Sequence, residues 1–258
     1  MFVRLYRRLQ QDAETNTHRR YKVGWLFGQE KSSLIWDAPQ AVSFDVPKPT
    51  TSKSATVCPA AVEFDRRHFA INCPIDLHLR MQKNAQGQLQ ITNVDGPMSA
   101  TRPAGLQSIM MLSPQNEWRH PSRPMLQIVT PFIFVSDDPV YVNQFPPFLH
   151  YMPEQRPGVM LCGRFPIDVW PRAHMWAFEW HDLSKDLILK RGEPLFYVRF
   201  ETPDPSAPVR LVEAEKTPEL TSFIASLTDV TNFVNQSFQL FKTARERRPK
   251  TLLVEKKR

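Results

Sequence analysis

Glycine is scarce in this chain of 258 residues, 8 against 24 prolines, and cysteine is scarcer still, at 3. No Gly-rich phosphate loop, nucleophile elbow, HExxH or paired CxxC occurs. Their absence sets aside P-loop enzymes, α/β-hydrolases, zincins and zinc ribbons. No apolar run reaches the length of a membrane-spanning helix. The start, MFVRLYRRLQQD, lacks the apolar core of a signal peptide. Cys58, Cys73 and Cys162 are odd in number and lack CxxC spacing, as expected of reduced thiols. Together these features predict a cytoplasmic protein with no membrane partner.

Net charge is +7 but unevenly spread. Residues 1–31 hold 7 Lys/Arg and 3 Asp/Glu, and residues 242–258 hold 8 and 2, so the ends carry +4 and +6 and the middle −3. A nucleic-acid groove needs basic charge across the folded body, so contact with nucleic acid is expected only through the basic ends, which read as solvated tails.

What the chain has in plenty is strand chemistry. Prolines cannot donate to a ladder, so their abundance predicts short strands and stiff connections. From Ala173 to Trp180 the even positions are His174, Trp176, Phe178 and Trp180, and the odd ones Ala173, Met175, Ala177 and Glu179. Period two sends these sets to opposite faces, one of them aromatic. Further strands are expected at Val159–Phe165, Leu187–Leu189, Pro194–Phe200, Met125–Val135, Val140–Val142, Leu89–Val94 and Leu106–Leu112. A single long one is expected from Phe69 to Arg80, with His78 on its wet face. Edge strands are expected at Ser33–Asp37 and Ala41–Val46. The fold class expected is mainly β: an antiparallel β-sandwich or jelly-roll-like barrel with a long C-terminal α-helix. That helix starts at Thr217-Pro218-Glu219, where a capping hydroxyl precedes proline. Leu220, Phe223, Ile224, Leu227, Val230, Val234, Phe238 and Phe241 carry its apolar stripe, which at nearly thirty residues would span roughly 45 Å. Three parts follow: a basic segment 1–54 with edge strands and a polar linker (PKPTTSKS), a core domain 55–215, and a helix with basic tail 216–258.

Several side chains could carry chemistry. The loop with Trp118, Arg119, His120 and Arg123 has the composition used to recognise carboxylates or phosphates. It also has that of an ion-paired surface loop. His150 lies in FPPFLHYMPEQRP, expected to pack over the sandwich end. With Arg164, His174 and Trp176 these residues form the expected ligand-binding set. Glu179-Trp180-His181 puts a carboxylate and an imidazole on one strand face, which His150 or His174 could complete into a divalent-metal site. Otherwise the pair is a rim carboxylate and a solvated histidine. Zinc held by Cys58, His68, Cys73 and Cys162 would have no recognised spacing.

PSRPMLQIVTPFIF, GVMLCGRFPIDVW and ILKRGEPLFYVRF resemble a family of uncharacterised β-rich proteins from bacteria and tailed phages, over roughly residues 58–215. The turn Arg191-Gly192-Glu193-Pro194 is similar in outline to the last turn of trimeric dUTPases and dCTP deaminases, whose nucleotide motifs this chain lacks. The resemblance implies a β fold and carries over no catalytic residue, since the family has no settled activity. Two functions remain: a β-sandwich binding a small anionic or ring-shaped ligand, with or without catalysis, or an assembly protein forming a homo-oligomer through residues 217–246.

Overall fold

The computed structural model describes residues 20–42, 57–60, 64, 67–99, 102–153, 155–233 and 237–257. Three open sheets carry the strands. The first runs β14 (Val209–Glu213), β1 (Tyr21–Phe27), β7 (Met125–Val135), β11 (Ala173–Trp180), β9 (Gly158–Leu161), and β6 (Met110–Leu112) also pairs with β7. The second runs β10 (Arg164–Pro166), β8 (Tyr141–Phe145), β13 (Pro194–Glu201), β3 (His68–Asn72), β2 (Gln40–Ala41). The third is β12 (Leu187–Leu189), β4 (Leu77–Lys83), β5 (Leu89–Asn93). All pairings are antiparallel except that of β1 with β14, and neither large sheet closes into a barrel.

The second and third sheets are one ribbon, bent where Cys73–Asp76 meets Lys190–Glu193. Leu77 pairs with Leu189, and Asn72 with Pro194, in the same register. Across the bend Cys73 N–H donates to Glu193 O, and Gly192 N–H to Cys73 O, at 2.8 and 2.9 Å. Gly192 turns the chain with a φ of 82°, a conformation glycine adopts without strain. The long strand expected from Phe69 to Arg80 is therefore two, interrupted at Cys73-Pro74, where proline removes a ladder donor.

Period two is what fills the core. Trp176, Phe178 and Trp180 from β11 are wholly buried against Phe196, Val198 and Phe200 of β13 and Leu187 and Leu189 of β12. Trp176 and Phe178 stack at 5.0 Å. The aromatic face is thus the interior of the sandwich, and Trp176 is a core residue with no access to a ligand.

A second core lies on the outer side of the first sheet. Leu26, Ile133 and Val135 meet Leu220, Phe223, Leu227 and Ala244 from two helices, α2 (Pro218–Phe233) and α3 (Ser237–Arg247). Thr217 Oγ1 caps the first by accepting from Leu220 N–H at 3.1 Å. The expected single long helix is corrected. Ser226 and Arg247 are 21 residues apart, roughly 31 Å along a straight helix. Arg247 nevertheless donates to Ser226 O at 3.4 Å, so α3 folds back on α2. The sequence between them, Val-Asn-Gln, lies outside the described residues.

The C-terminal end differs from the expected solvated tail, and the N-terminal part differs from residue 20 onward. β1 is an interior strand, so the sandwich begins well before residue 55. Residues 1–19 and the linker 47–54 lie outside the described residues. The basic C-terminal tail docks: Leu252 is 1% exposed, and its N–H donates to Asp137 Oδ1 at 2.6 Å. Arg248 donates to Asp168 O at 2.6 Å and pairs with Asp137 at 3.2 Å. Ala214 bridges Glu255, whose carboxylate takes Lys22 and Arg210. A Cβ on Gly24 would fall 2.8 Å from Ala214 Cβ and 3.1 Å from Leu253 Cγ, so only glycine lets the tail lie this close. Two smaller expectations also change. The strand expected at Leu106–Leu112 is a short helix, α1 (Pro103–Ile109), started by proline and followed by β6. Of the edge strand expected at Ser33–Asp37, Ser33 and Leu34 end a 3-10 helix over Glu30–Leu34 and the other three residues are a turn and irregular chain.

Candidate functional site

One end of the sandwich is covered by residues 146–153 and 155–157 and by the turn after β11. Between them lies a cleft of about 480 Å³ lined by Arg156, Met160, Phe178, His181 and Lys185, a size typical of small-molecule sites. Its back is the start of β9. A Cβ on Gly158 would collide with the Glu179 carbonyl oxygen, so glycine is what allows β9 to close on β11 here. The cleft is pinned from both sides, because His181 and Asp182 N–H both donate to Pro157 O at 2.9 Å.

Glu179, on the odd face of β11, is 5% exposed. Its Oε1 bonds His181 Nε2 at 2.7 Å, and the guanidiniums of Arg123 and Arg119 stand 3.6 and 3.9 Å from its two oxygens. The sequence separates these groups by more than fifty residues, and β7 brings them together by pairing with β11 next to the 113–124 loop. The bond to Glu179 occupies Nε2 and orients the ring, so Nδ1 is the nitrogen left to hydrogen-bond whatever fills the cleft. Asp182 is held below the usual carboxylate range by the Ser184 hydroxyl and N–H bonds.

Arg156 is the cleft's buried cation. It donates to Leu195 O and Pro194 O, each at 3.1 Å, and lies over the Trp176 ring at 5.6 Å. Its Nε is buried with no partner among the described residues, and burial lowers its pKa. The covering loop is itself packed on rings: Phe148 meets His68 at 5.3 Å and Tyr197 at 5.6 Å.

The other expected residues are dispersed. Trp118 is tied down by donating from Nε1 to Ser113 O at 2.7 Å. His120 Nδ1 bonds Ser122, and His150 is half-buried with Nε2 unpartnered among the described residues. Arg164 is engaged with Glu201 at 2.8 Å and with the Tyr141 ring at 3.5 Å. His174 is buried on the opposite face of β11 from Glu179, between Phe134 and Phe165. It therefore cannot complete a metal site with that carboxylate. Among the described residues no three His, Cys, Asp or Glu side chains gather to hold a metal. Of the cysteines, Cys73 is buried and bonded to Ile75 O, while Cys58 and Cys162 are exposed. Burial pushes the Cys73 thiol up to about 11.

Sequence reasoning missed Arg156 and the partners of His78. The His78 ring joins Asp95 at 3.1 Å and Asp186 at 2.9 Å, and Arg80 grips Asp186 with two bonds of 2.8 and 2.7 Å. Hydrogen bonds from Arg80 first, and then from His78, hold the Asp186 carboxyl down at about 2. His78 and Arg80 share one face of β4, which is legible, but Asp186 is over a hundred residues away. The chain matches no family model, and neither the curated proteins nor the solved structures hold a match to it.

Proposed function

We propose that this β-sandwich binds a small ligand combining an apolar ring with an anionic group, in the cleft between residues 146–160 and 178–185. The observation that carries the reading is the pairing of an apolar lining, Val159 and Met160, with Arg156, His181 and Lys185 in one cleft. The ring finds an apolar surface, and the anion finds cations and a hydrogen-bonding imidazole. Glu179 orients that imidazole, and the same dyad suits general-base chemistry on a bound substrate. The assembly reading loses its main motive where Leu220, Phe223 and Leu227 are buried by the chain's own sheet.

The test uses side-chain ¹⁵N resonances of labelled histidine, followed as benzoate, benzamide and acetate are added. Benzoate is expected to shift His181 saturably, with at least a tenfold weaker response to the neutral amide, and His181→Ala should abolish binding. Equal responses to benzoate and benzamide, or benzoate binding unchanged in His181→Ala, would overturn the reading.

A further inference from the structure

At the other end of β11 lies a smaller cavity, of about 230 Å³, lined by Gln127, Gln144, Cys162, Arg172 and His174 among others. It is below the range of drug-sized sites, which restricts it to a ligand of a few heavy atoms. Arg172 is half-buried, and among the described residues no carboxylate pairs with it. Burial disfavours its charge. A partly desolvated guanidinium without a counter-charge is costly, and an anion relieves that cost. Beside it His174 is 3% exposed, and its Nδ1 has no partner among the described residues. Gln144 is 4% exposed and uses one amide hydrogen on Met175 O at 3.1 Å, leaving a second. Gly163 keeps the wall open, since a Cβ there would come within 2.7 Å of the Phe165 ring and 3.1 Å of Gln144 Oε1.

The geometry points to a second binding site, separate from the cleft at His181, in which Arg172 and the amides of Gln127 and Gln144 hold a small oxyanion. His174 is kept neutral by burial and by the Arg172 charge, so the cavity offers one positive charge. That matches a ligand bearing about one negative charge, a carboxylate or a singly ionised phosphate group.

The test follows the Arg172 Nε–H resonance and the melting temperature of the whole chain while acetate or phosphate replaces chloride at constant ionic strength. A saturable shift of Arg172 with a rise in melting temperature is expected from one oxyanion or both, and the stronger of the two identifies the group. Arg172→Gln should lose the rise. Gln127→Glu, which supplies Arg172 with an internal partner, should weaken binding at least tenfold, so the proposal stays testable if the first variant does not fold. His181→Ala should leave the response intact. An Arg172 resonance indifferent to both oxyanions, or Gln127→Glu binding as the wild type does, would overturn it.

Discussion

His174 should make the fold acid-sensitive by itself. Burial first, and then the neighbouring Arg172 charge, push the imidazole down to about 3, whereas the unfolded chain titrates near the ordinary 6.5. Below 6.5 the unfolded state therefore binds a proton that the folded state refuses. Stability is fully present above 6.5 and is lost as pH falls towards 3, at up to about 1.4 kcal/mol per pH unit. Integrated between pH 6 and pH 4, this one group removes about 2.5 kcal/mol. Phenylalanine suits the same place between Phe134 and Phe165, and the bond from Thr130 Oγ1 to the residue's carbonyl oxygen survives the change. The assay is urea unfolding of the wild type and of His174→Phe at both pH values. Every other titrating group is common to the two proteins and cancels. The wild type should lose about 2.5 kcal/mol more than the variant over that interval. Equal losses would refute the assignment of a neutral buried histidine.

Asp186 should act in the same direction, at lower pH. Its folded pKa is depressed to about 2, so its contribution is present above the unfolded value of 3.8 and disappears as pH falls through about 2. Asp186→Asn should thus lower the melting temperature at pH 6 and match the wild type near pH 2. Leu252→Ala tests the docking of the C-terminal tail: removing a side chain that is 1% exposed should cost about 2–4 kcal/mol in chemical denaturation. A loss below about 0.5 kcal/mol, the level of a surface substitution, would mean that the tail is not docked in solution.

The local elements were legible where one physical signal dominated. Alternation over 173–180 marks β11 and its buried face, and the proline at the first helical turn with Thr217 before it marks the start of α2. The apolar stripe from Leu220 onward could not show that the helix folds back, because periodicity is the same in a hairpin and in a rod. Likewise, eight basic residues after position 241 read as a solvated tail, since Asp137, Asp168 and Glu213 become partners of Arg248 and Lys256 only once the chain has returned to the first sheet.

The site divides in the same way. Residue types and spacing place Glu179 beside His181 on one strand face, and the 2.7 Å bond between them is a local consequence of the period of two. Arg119 and Arg123 reach the same carboxylate only through the pairing of β7 with β11. Arg156 enters the cleft because the 146–157 loop folds over the sandwich end. Arg172 lacks a counter-charge among the described residues because of what surrounds it, a property no residue carries in its own name. The sequence by itself determined which faces are apolar, where strands and helices begin, and which charges are available, since these follow from periodicity and from local backbone chemistry. Only the tertiary structure decided which of those charges meet, because electrostatic partnership depends on distance and burial, and both are set by pairings between strands far apart in the chain.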